Sequence, residues 1–427
     1  MIEERCITYY TVTLGELTRE GDATADIAVL DRDGREQRQI LRVPAGLPGE
    51  RVTIAVEAPA RGGERRPGKR NRRWKASMPR PPRVWITEID EAAPQRSQAR
   101  CPVFGVCGGC QLQHMEYAAQ LAWKRSVVEQ LLRDTGGFAC PPLLGPVACD
   151  DPWQYRNHMR FSVNRKGEPG LTARGTHRVL PLTSCPLASE QINRALQVFS
   201  QVPNERPQVL IRCGSATGQM LIQPHPKAEV LEKLVACGLD IRSDTFEERL
   251  AGEIYRIRPS SFFQTNTAQA EKMVEMVVQG LGPSQLVVDA FCGVGTFALA
   301  LARHVEKVIA IEESASAIKD AQWNLREVSN VEILKGKVED VLPKLAAEID
   351  GLVIDPPRAG CQKVVLDALV EHPISRIVYV SCDPATLARD LHILCHLQPA
   401  YHLQSVQPLD MFPQTAHIEC VAILERK

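Results

Sequence analysis

From about Thr267 onward the chain alternates between amphipathic stretches of helical period and short apolar runs, and this alternation limits its fold more than any other feature. Helices are expected over 267–280, 296–304, 314–325, 339–347 and 363–372. Between them, strands are expected at Leu286–Ala290, Val308–Ile311, 331–334, Leu352–Ile354 and Ile377–Val380. Strands this apolar are covered on both faces, which calls for a mostly parallel, doubly wound sheet. In such a sheet ligands settle beyond the carboxyl ends of the strands, so chemistry is to be sought in the loops that follow them.

Three of those loops carry it. The run Val287-Val288-Asp289-Ala290 passes into Phe291-Cys292-Gly293-Val294-Gly295-Thr296, where a helix begins. Glycines at a strand-to-helix turn let the backbone approach a ligand closely. Glu312, at the end of the next strand, is placed to take the two ribose hydroxyls of an adenosine. Position 298 is alanine, so the third glycine of the dinucleotide fingerprint is missing. S-adenosylmethionine (SAM), which has no pyrophosphate, suits this loop better than a dinucleotide.

The other two loops are Asp355-Pro356-Pro357-Arg358-Ala359-Gly360 and Ser381-Cys382-Asp383-Pro384. Their prolines stiffen the backbone and hold the preceding side chains in place. Asp-Pro-Pro followed by an aromatic suits methylation of exocyclic amines, but Arg358 stands where the aromatic is needed. A cysteine at the neighbouring strand end suits other chemistry. Carbon 5 of uracil is a poor nucleophile towards a sulfonium methyl, and a thiolate adding to carbon 6 converts it into an enolate carbon that can attack. The hydrogen left on carbon 5 must then be removed before the thiolate can leave, which requires a base. The C-terminal run Thr415-Ala-His417-Ile418-Glu419-Cys420 offers His417 and Glu419, which period-two alternation places on one face without choosing between them.

Residues 1–92 read differently. Short β-type runs at Ile27–Leu30, 38–43, 51–56 and 84–89, separated by turn signals, indicate a small β-barrel. The chain's 51 basic and 51 acidic residues cancel, yet ten basic residues between Arg61 and Arg83 face only Glu64. Such a local run, with Trp74 interleaved, points to a polyanion; Arg70, Arg72, Arg73 and Trp74 are the candidate RNA contacts. The middle of the chain reads as mixed strands and helices, with an amphipathic helix near 117–133.

Charged residues near Met1, with no apolar core behind them, are unlike a signal peptide, and no apolar run is long enough to span a bilayer. A cytoplasmic protein without a membrane partner is expected, so its 14 cysteines do not suggest a disulfide framework. Cys101, Cys107 and Cys110 form C-x5-C-x2-C among glycines, and Cys185-Pro186 repeats the pair Cys101-Pro102. Four thiolates suit an iron–sulfur cluster or a structural zinc, and spacing leaves both open.

Jointly, these motifs resemble those of the bacterial RNA 5-methyluridine methyltransferases, in particular the iron–sulfur 23S ribosomal RNA branch. The resemblance runs over nearly the whole chain. Its carriers are Cys-Pro-x-Phe-Gly-x-Cys-Gly-Gly-Cys-Gln-x-Gln-His from Cys101 to His114, Ser-Phe-Phe-Gln-Thr-Asn from Ser261 to Asn266, the loop from Asp289 to Gly295, Asp355-Pro-Pro-Arg-Ala-Gly and Ser381-Cys382-Asp-Pro. It implies an α/β architecture in three parts. These are an N-terminal OB-like TRAM barrel (1–92) that binds RNA, a central α+β iron–sulfur domain (93–265) and a Rossmann-like SAM-dependent methyltransferase domain (266–427).

The resemblance further implies Cys382 as nucleophile, Glu419 as base and a [4Fe–4S] cluster on Cys101, Cys107, Cys110 and Cys185. Gln264, Phe291, Gly293, Gly295, Thr296, Glu312 and Asp355 match positions around the cofactor and target base, and Phe262 an aromatic beside a flipped uracil. Thr296 stands where asparagine is common, Ala290 where leucine is common, and Glu339 with Asp340 only roughly match the usual adenine contact. The implied substrate is structured RNA, 23S ribosomal RNA first, acted on by a monomer. Competing readings are the same reaction on the T-loop uridine of tRNA and a non-catalytic iron–sulfur RNA-binding protein.

Overall fold

The computed structural model describes residues 7–30, 36–57, 82–345 and 348–427. The candidate RNA contacts Arg70, Arg72, Arg73 and Trp74 lie outside the described residues. The chain divides into two compact units, Met1–Gly105 with Cys110–Glu116, and Val106–Gly109 with Tyr117–Lys427.

The first unit contains two antiparallel three-stranded sheets. One orders Ile7–Thr13, Arg51–Glu57 and Arg83–Glu91; the other orders Gly15–Leu17, Ala23–Leu30 and Glu36–Val43. Alternate residues of these strands, among them Ala23, Ala25, Ile27, Leu41, Val43, Val52 and Ile54, close on one core. The strands Ile7–Thr13 and Gly15–Leu17 precede those the sequence suggests, because their polar and aromatic residues carry no clean apolar alternation.

The second unit holds the predicted doubly wound sheet. Its strands in chain order are β1 Leu286–Ala290, β2 Lys307–Glu312, β3 Val331–Lys335, β4 Gly351–Ile354, β5 Arg376–Ser381, β6 Tyr401–Leu409 and β7 Glu419–Arg426. In space they run β3-β2-β1-β4-β5-β7-β6. The first five are parallel and β7 is antiparallel to both β5 and β6. The order reverses at β1, so the crevice between β1 and β4 is the switch point where such sheets take ligands.

Side-chain alternation divides each strand between two cores. Val288, Ala290, Ile309, Ile311, Leu352, Ile354, Ile377 and Tyr379 face one way with helices Tyr117–Asp134, Lys363–Glu371 and Pro384–His392. Val287, Val308, Ala310, Val353, Val378 and Val380 face the other, with helices Thr267–Leu281, Thr296–Ala302 and Ala315–Asn324. The helix expected over 339–347 is instead a turn of helix at Val338–Val341 followed by a 3-10 turn at Leu342–Lys344. Pro343 cannot donate to an ongoing α-helix, which explains the change.

The same unit contains a six-stranded sheet built from residues 158–242, in which Gln208–Cys213 pairs with His158–Val163 and Gln219–Gln223. A hairpin, Phe246–Leu250 with Glu253–Ile257, leads from it towards helix Thr267–Leu281. Among the described residues, no helix is long and apolar enough to cross a membrane.

Candidate active site

The loop after β1 is held open by its backbone. Gly293 and Gly295 have φ of 56° and 86°, and Phe291 also takes a positive φ of 66°. A bulky residue in that region costs about 1–3 kcal/mol and persists only where its surroundings insist on it. The amide of Gly293 donates to Glu312 at 3.0 Å, and that of Ser314 donates to the other carboxylate oxygen at 2.7 Å. The loop and the acid at the end of β2 thus orient each other, as a site for a ribose beside a backbone turn requires. Thr296 begins the helix, and its carbonyl accepts from the Tyr255 hydroxyl at 3.2 Å. Asp289 is fully buried beneath the loop, and burial raises its pKa well above the usual carboxylate range.

Cys382 is fixed by its neighbours. The Asp383 amide donates to the Ser381 hydroxyl (3.2 Å), and the Asp383 carboxylate caps the next helix by accepting from the amides of Ala385 (3.0 Å) and Thr386 (3.4 Å). Pro384 occupies the first turn, where its missing N–H costs nothing. That helix also fastens the Asp355 loop. Thr386 Oγ1 donates to the Arg358 carbonyl at 3.2 Å, Arg389 donates to the Ala359 carbonyl at 2.9 Å, and buried Asp390 accepts from the Cys361 amide at 2.9 Å. The Asp355 and Cys382 loops are therefore tied to one support.

Glu419 opens β7 and is buried. His417 lies before that strand, where its Nδ1 meets Arg358 Nη2 at 3.1 Å. The alternation that leaves the two residues equivalent in the sequence does not reach His417. The segment leading to Glu419 is anchored from helix Tyr117–Asp134: fully buried Lys124 donates to Asp410 (2.6 Å) and to the Phe412 carbonyl (3.0 Å). Gln120 exchanges hydrogen bonds with Gln414, whose φ is 68°.

Asp355 and Arg358 lie close enough for their charges to act on both Cys382 and Glu419, and Glu419 acts on Cys382. Burial pushes the Cys382 thiol up to about 11, with the charges of Glu419 and Asp355 adding to this and Arg358 opposing it. Burial raises Glu419 well above its usual range, with Asp355 adding and Arg358 opposing, and it raises Asp355 to about 7. His417 is pushed down to about 4, by burial first and then by Arg358, so it meets the guanidinium as a neutral acceptor. Such a site sets a thiol and two carboxyls of raised pKa together, with a cation that favours ionisation of Cys382 and Glu419, an arrangement suited to nucleophilic and proton-transfer chemistry.

Phe262 and Gln264 lie on the turn before helix Thr267–Leu281. Phe262 is 68% exposed, and the Gln264 carbonyl accepts from Asn157 at 3.0 Å. Asn157, Lys124 and Asp410 escape sequence reasoning because single polar residues in amphipathic stretches resemble surface positions.

The cysteine set stands apart. Among the described residues, Cys101, Cys107, Cys110 and Cys185 are not joined in disulfides. Cys107 Sγ accepts from the Gly109 amide at 3.4 Å, and the Cys185 amide donates to Asn193 at 2.7 Å. Their donor chemistry fits a cluster, but among the described residues no three His, Cys, Asp or Glu side chains gather as a metal centre needs.

The sheet order, the glycine turn and the acid ending β2 define a Rossmann-like SAM-dependent methyltransferase. The structure matches that of a Pyrococcus abyssi tRNA (uracil-54, C5)-methyltransferase solved with S-adenosyl-L-homocysteine, with a TM-score of 0.70 over 97% of this chain and 99% of that one, at 23% identity. Residues 238–427 match the family model tRNA (Uracil-5-)-methyltransferase. An uncharacterized RNA methyltransferase of Gloeobacter violaceus is 36% identical over 80% of this chain and 85% of its own length. Another, from Halalkalibacterium halodurans, is 32% identical over 97% and 96%. The chain belongs to the RNA methyltransferase family, and uracil-5 methylation is the activity that its family match supports.

Proposed function

We propose that this protein methylates carbon 5 of a uridine in structured RNA through a covalent bond between Cys382 and carbon 6, with Glu419 removing the carbon-5 proton. The observation that carries this reading is the meeting of Cys382, Glu419, Asp355 and Arg358 at strand ends beside the glycine turn. SAM supplies an electrophilic methyl group; Phe291, Gly293, Gly295, Thr296, Glu312, Asp355 and Gln264 are the residues to hold it. Cys382 and Glu419 each release a proton to water, which Arg358 favours, and the thiolate adds to carbon 6 as the 5,6 electron pair moves onto the uracil ring as an enolate. After methyl transfer, ionised Glu419 takes the hydrogen from carbon 5; the electron pair re-forms the 5,6 double bond and expels the thiolate. A carboxyl with a raised pKa is the stronger base once ionised.

In its finer form the substrate is 23S ribosomal RNA and the protein acts as a cytoplasmic monomer. The N-terminal unit, read as a TRAM barrel, grips RNA through the basic run around Arg70, Arg72, Arg73 and Trp74, while Phe262 stacks beside the target base. The family resemblance of the cysteine motif supports a [4Fe–4S] cluster on Cys101, Cys107, Cys110 and Cys185; visible absorbance of anaerobically purified protein tests it, and a colourless, iron-free protein removes it. Mapping 5-methyluridine in RNA from cells lacking this protein tests the whole reading. Loss of one 23S uridine is expected, loss in the tRNA T-loop moves the substrate, and an unchanged map ends the proposal.

A further inference from the structure

Phe262 presents a large apolar ring to solvent from one of the most heavily tethered turns in the molecule. Arg212, 2% exposed, reaches from strand Gln208–Cys213 and donates through Nη1 to the carbonyls of Arg258 (3.1 Å), Pro259 (3.2 Å) and Ser261 (2.6 Å). Fully buried Asp320, on helix Ala315–Asn324, accepts from the Arg258 amide (2.9 Å), the Ser261 hydroxyl (2.6 Å) and the Arg258 guanidinium. Ser316, one turn earlier on that helix, meets the hydroxyls of Ser260 (2.7 Å) and Ser261 (3.2 Å).

The same helix face serves the cofactor turn. Asn324, four residues after Asp320, donates to the Val294 carbonyl at 2.9 Å and accepts from the Arg256 amide at 2.8 Å. Residues four apart lie one above the other on a helix, so Asp320 and Asn324 hold two loops in a common frame. Burying a carboxylate is costly unless donors surround it. Asp320 meets that condition by gathering the turn that ends in Phe262.

We propose that Asp320 is a positioning residue: it sets the Arg258–Ser261 turn so that the Phe262 ring stands where an unpaired base of the RNA substrate can stack on it, in register with the cofactor turn held by Asn324. This rests on the reading of Phe262 as a substrate contact.

The test is a double-mutant cycle on RNA affinity in the full-length protein, comparing Phe262→Ala, Asp320→Asn and the pair, with S-adenosylhomocysteine affinity measured alongside. Phe262→Ala should weaken RNA binding about tenfold, the size of one lost base–aromatic stack. Asp320→Asn should weaken it several-fold while S-adenosylhomocysteine affinity stays within about twofold, and adding it to Phe262→Ala should cost little more. If the two losses multiply, or if Asp320→Asn leaves RNA affinity unchanged, Asp320 does not act through Phe262 and the proposal fails. Should Asp320→Asn not fold, Ser261→Ala removes one of the same hydrogen bonds and is judged by the same cycle. Wild-type protein that binds RNA with an intact cycle yet forms no 5-methyluridine would overturn the proposed reaction and leave the positioning role standing.

Discussion

Two loops of one sheet edge are built on opposite principles. The turn after β1 offers backbone: glycines at positive φ, an amide aimed at Glu312 and a strained Phe291. The end of β5 offers side chains: a thiol between Ser381 and a helix capped by Asp383, with buried Glu419, half-buried Asp355 and Arg358 around it. The first is ordered by its own backbone, which already holds Glu312 in place. In the second, burial favours the protonated forms of the thiol and the carboxyls. Binding and chemistry should therefore be separable by mutation.

The largest effect is expected at the proposed nucleophile. Cys382→Ala should lower methylation by about 10^4-fold or more, in line with losses of covalent nucleophiles elsewhere. It should abolish the adduct with 5-fluorouridine RNA, whose fluorine cannot leave as a proton, while SAM affinity changes little. An adduct that survives this substitution would end the assignment. Glu419→Gln comes next, with a fall of about 10^2- to 10^4-fold, the usual worth of a positioned base. Here the methylated adduct should accumulate on denaturing gels; turnover at the normal rate would exclude Glu419 as base.

On the binding side, Gly293→Ala should weaken SAM affinity roughly tenfold, since forcing an L-residue into the left-handed region costs about 1–2 kcal/mol. Beyond the residue and its chain neighbours, no heavy atom lies within 4 Å of the added methyl, so the loss comes from the backbone. Adduct formation at saturating SAM should persist, and its disappearance would show that the two loops are not independent.

The smallest effect concerns stability. The pKa of Asp355 rises from 3.8 to about 7 in the folded protein, so its protonated form favours folding. That contribution is complete below about pH 4 and is lost as pH climbs through about 7. Asp355→Asn should thus melt several degrees higher than wild type at pH 8 and at nearly the same temperature near pH 4. Equal melting at both values would mean the carboxyl is not desolvated as its surroundings imply.

Much of this edge is legible in the sequence because strand ends and turn chemistry are local. The glycine turn, Asp355, Cys382 and Glu312 each follow an apolar run that announces itself. His417 and Glu419 are inseparable by alternation because where β7 begins depends on its pairing with β5 and β6, which is not a local property. The supports are harder still. Lys124, Asp410, Arg212 and Asp320 are charged residues that composition would place in water, yet all four are buried and paired across long stretches of chain.

By itself the sequence determined the doubly wound sheet, the strand-end loops proposed to carry chemistry and the cysteine spacing, since apolar period and turn residues act over a few positions. Only the tertiary structure decided which acid is buried beside Cys382, how far burial raises its thiol, and what holds Phe262 in place. Desolvation and buried hydrogen bonds depend on what the rest of the chain brings to a residue, and no short window of sequence contains that.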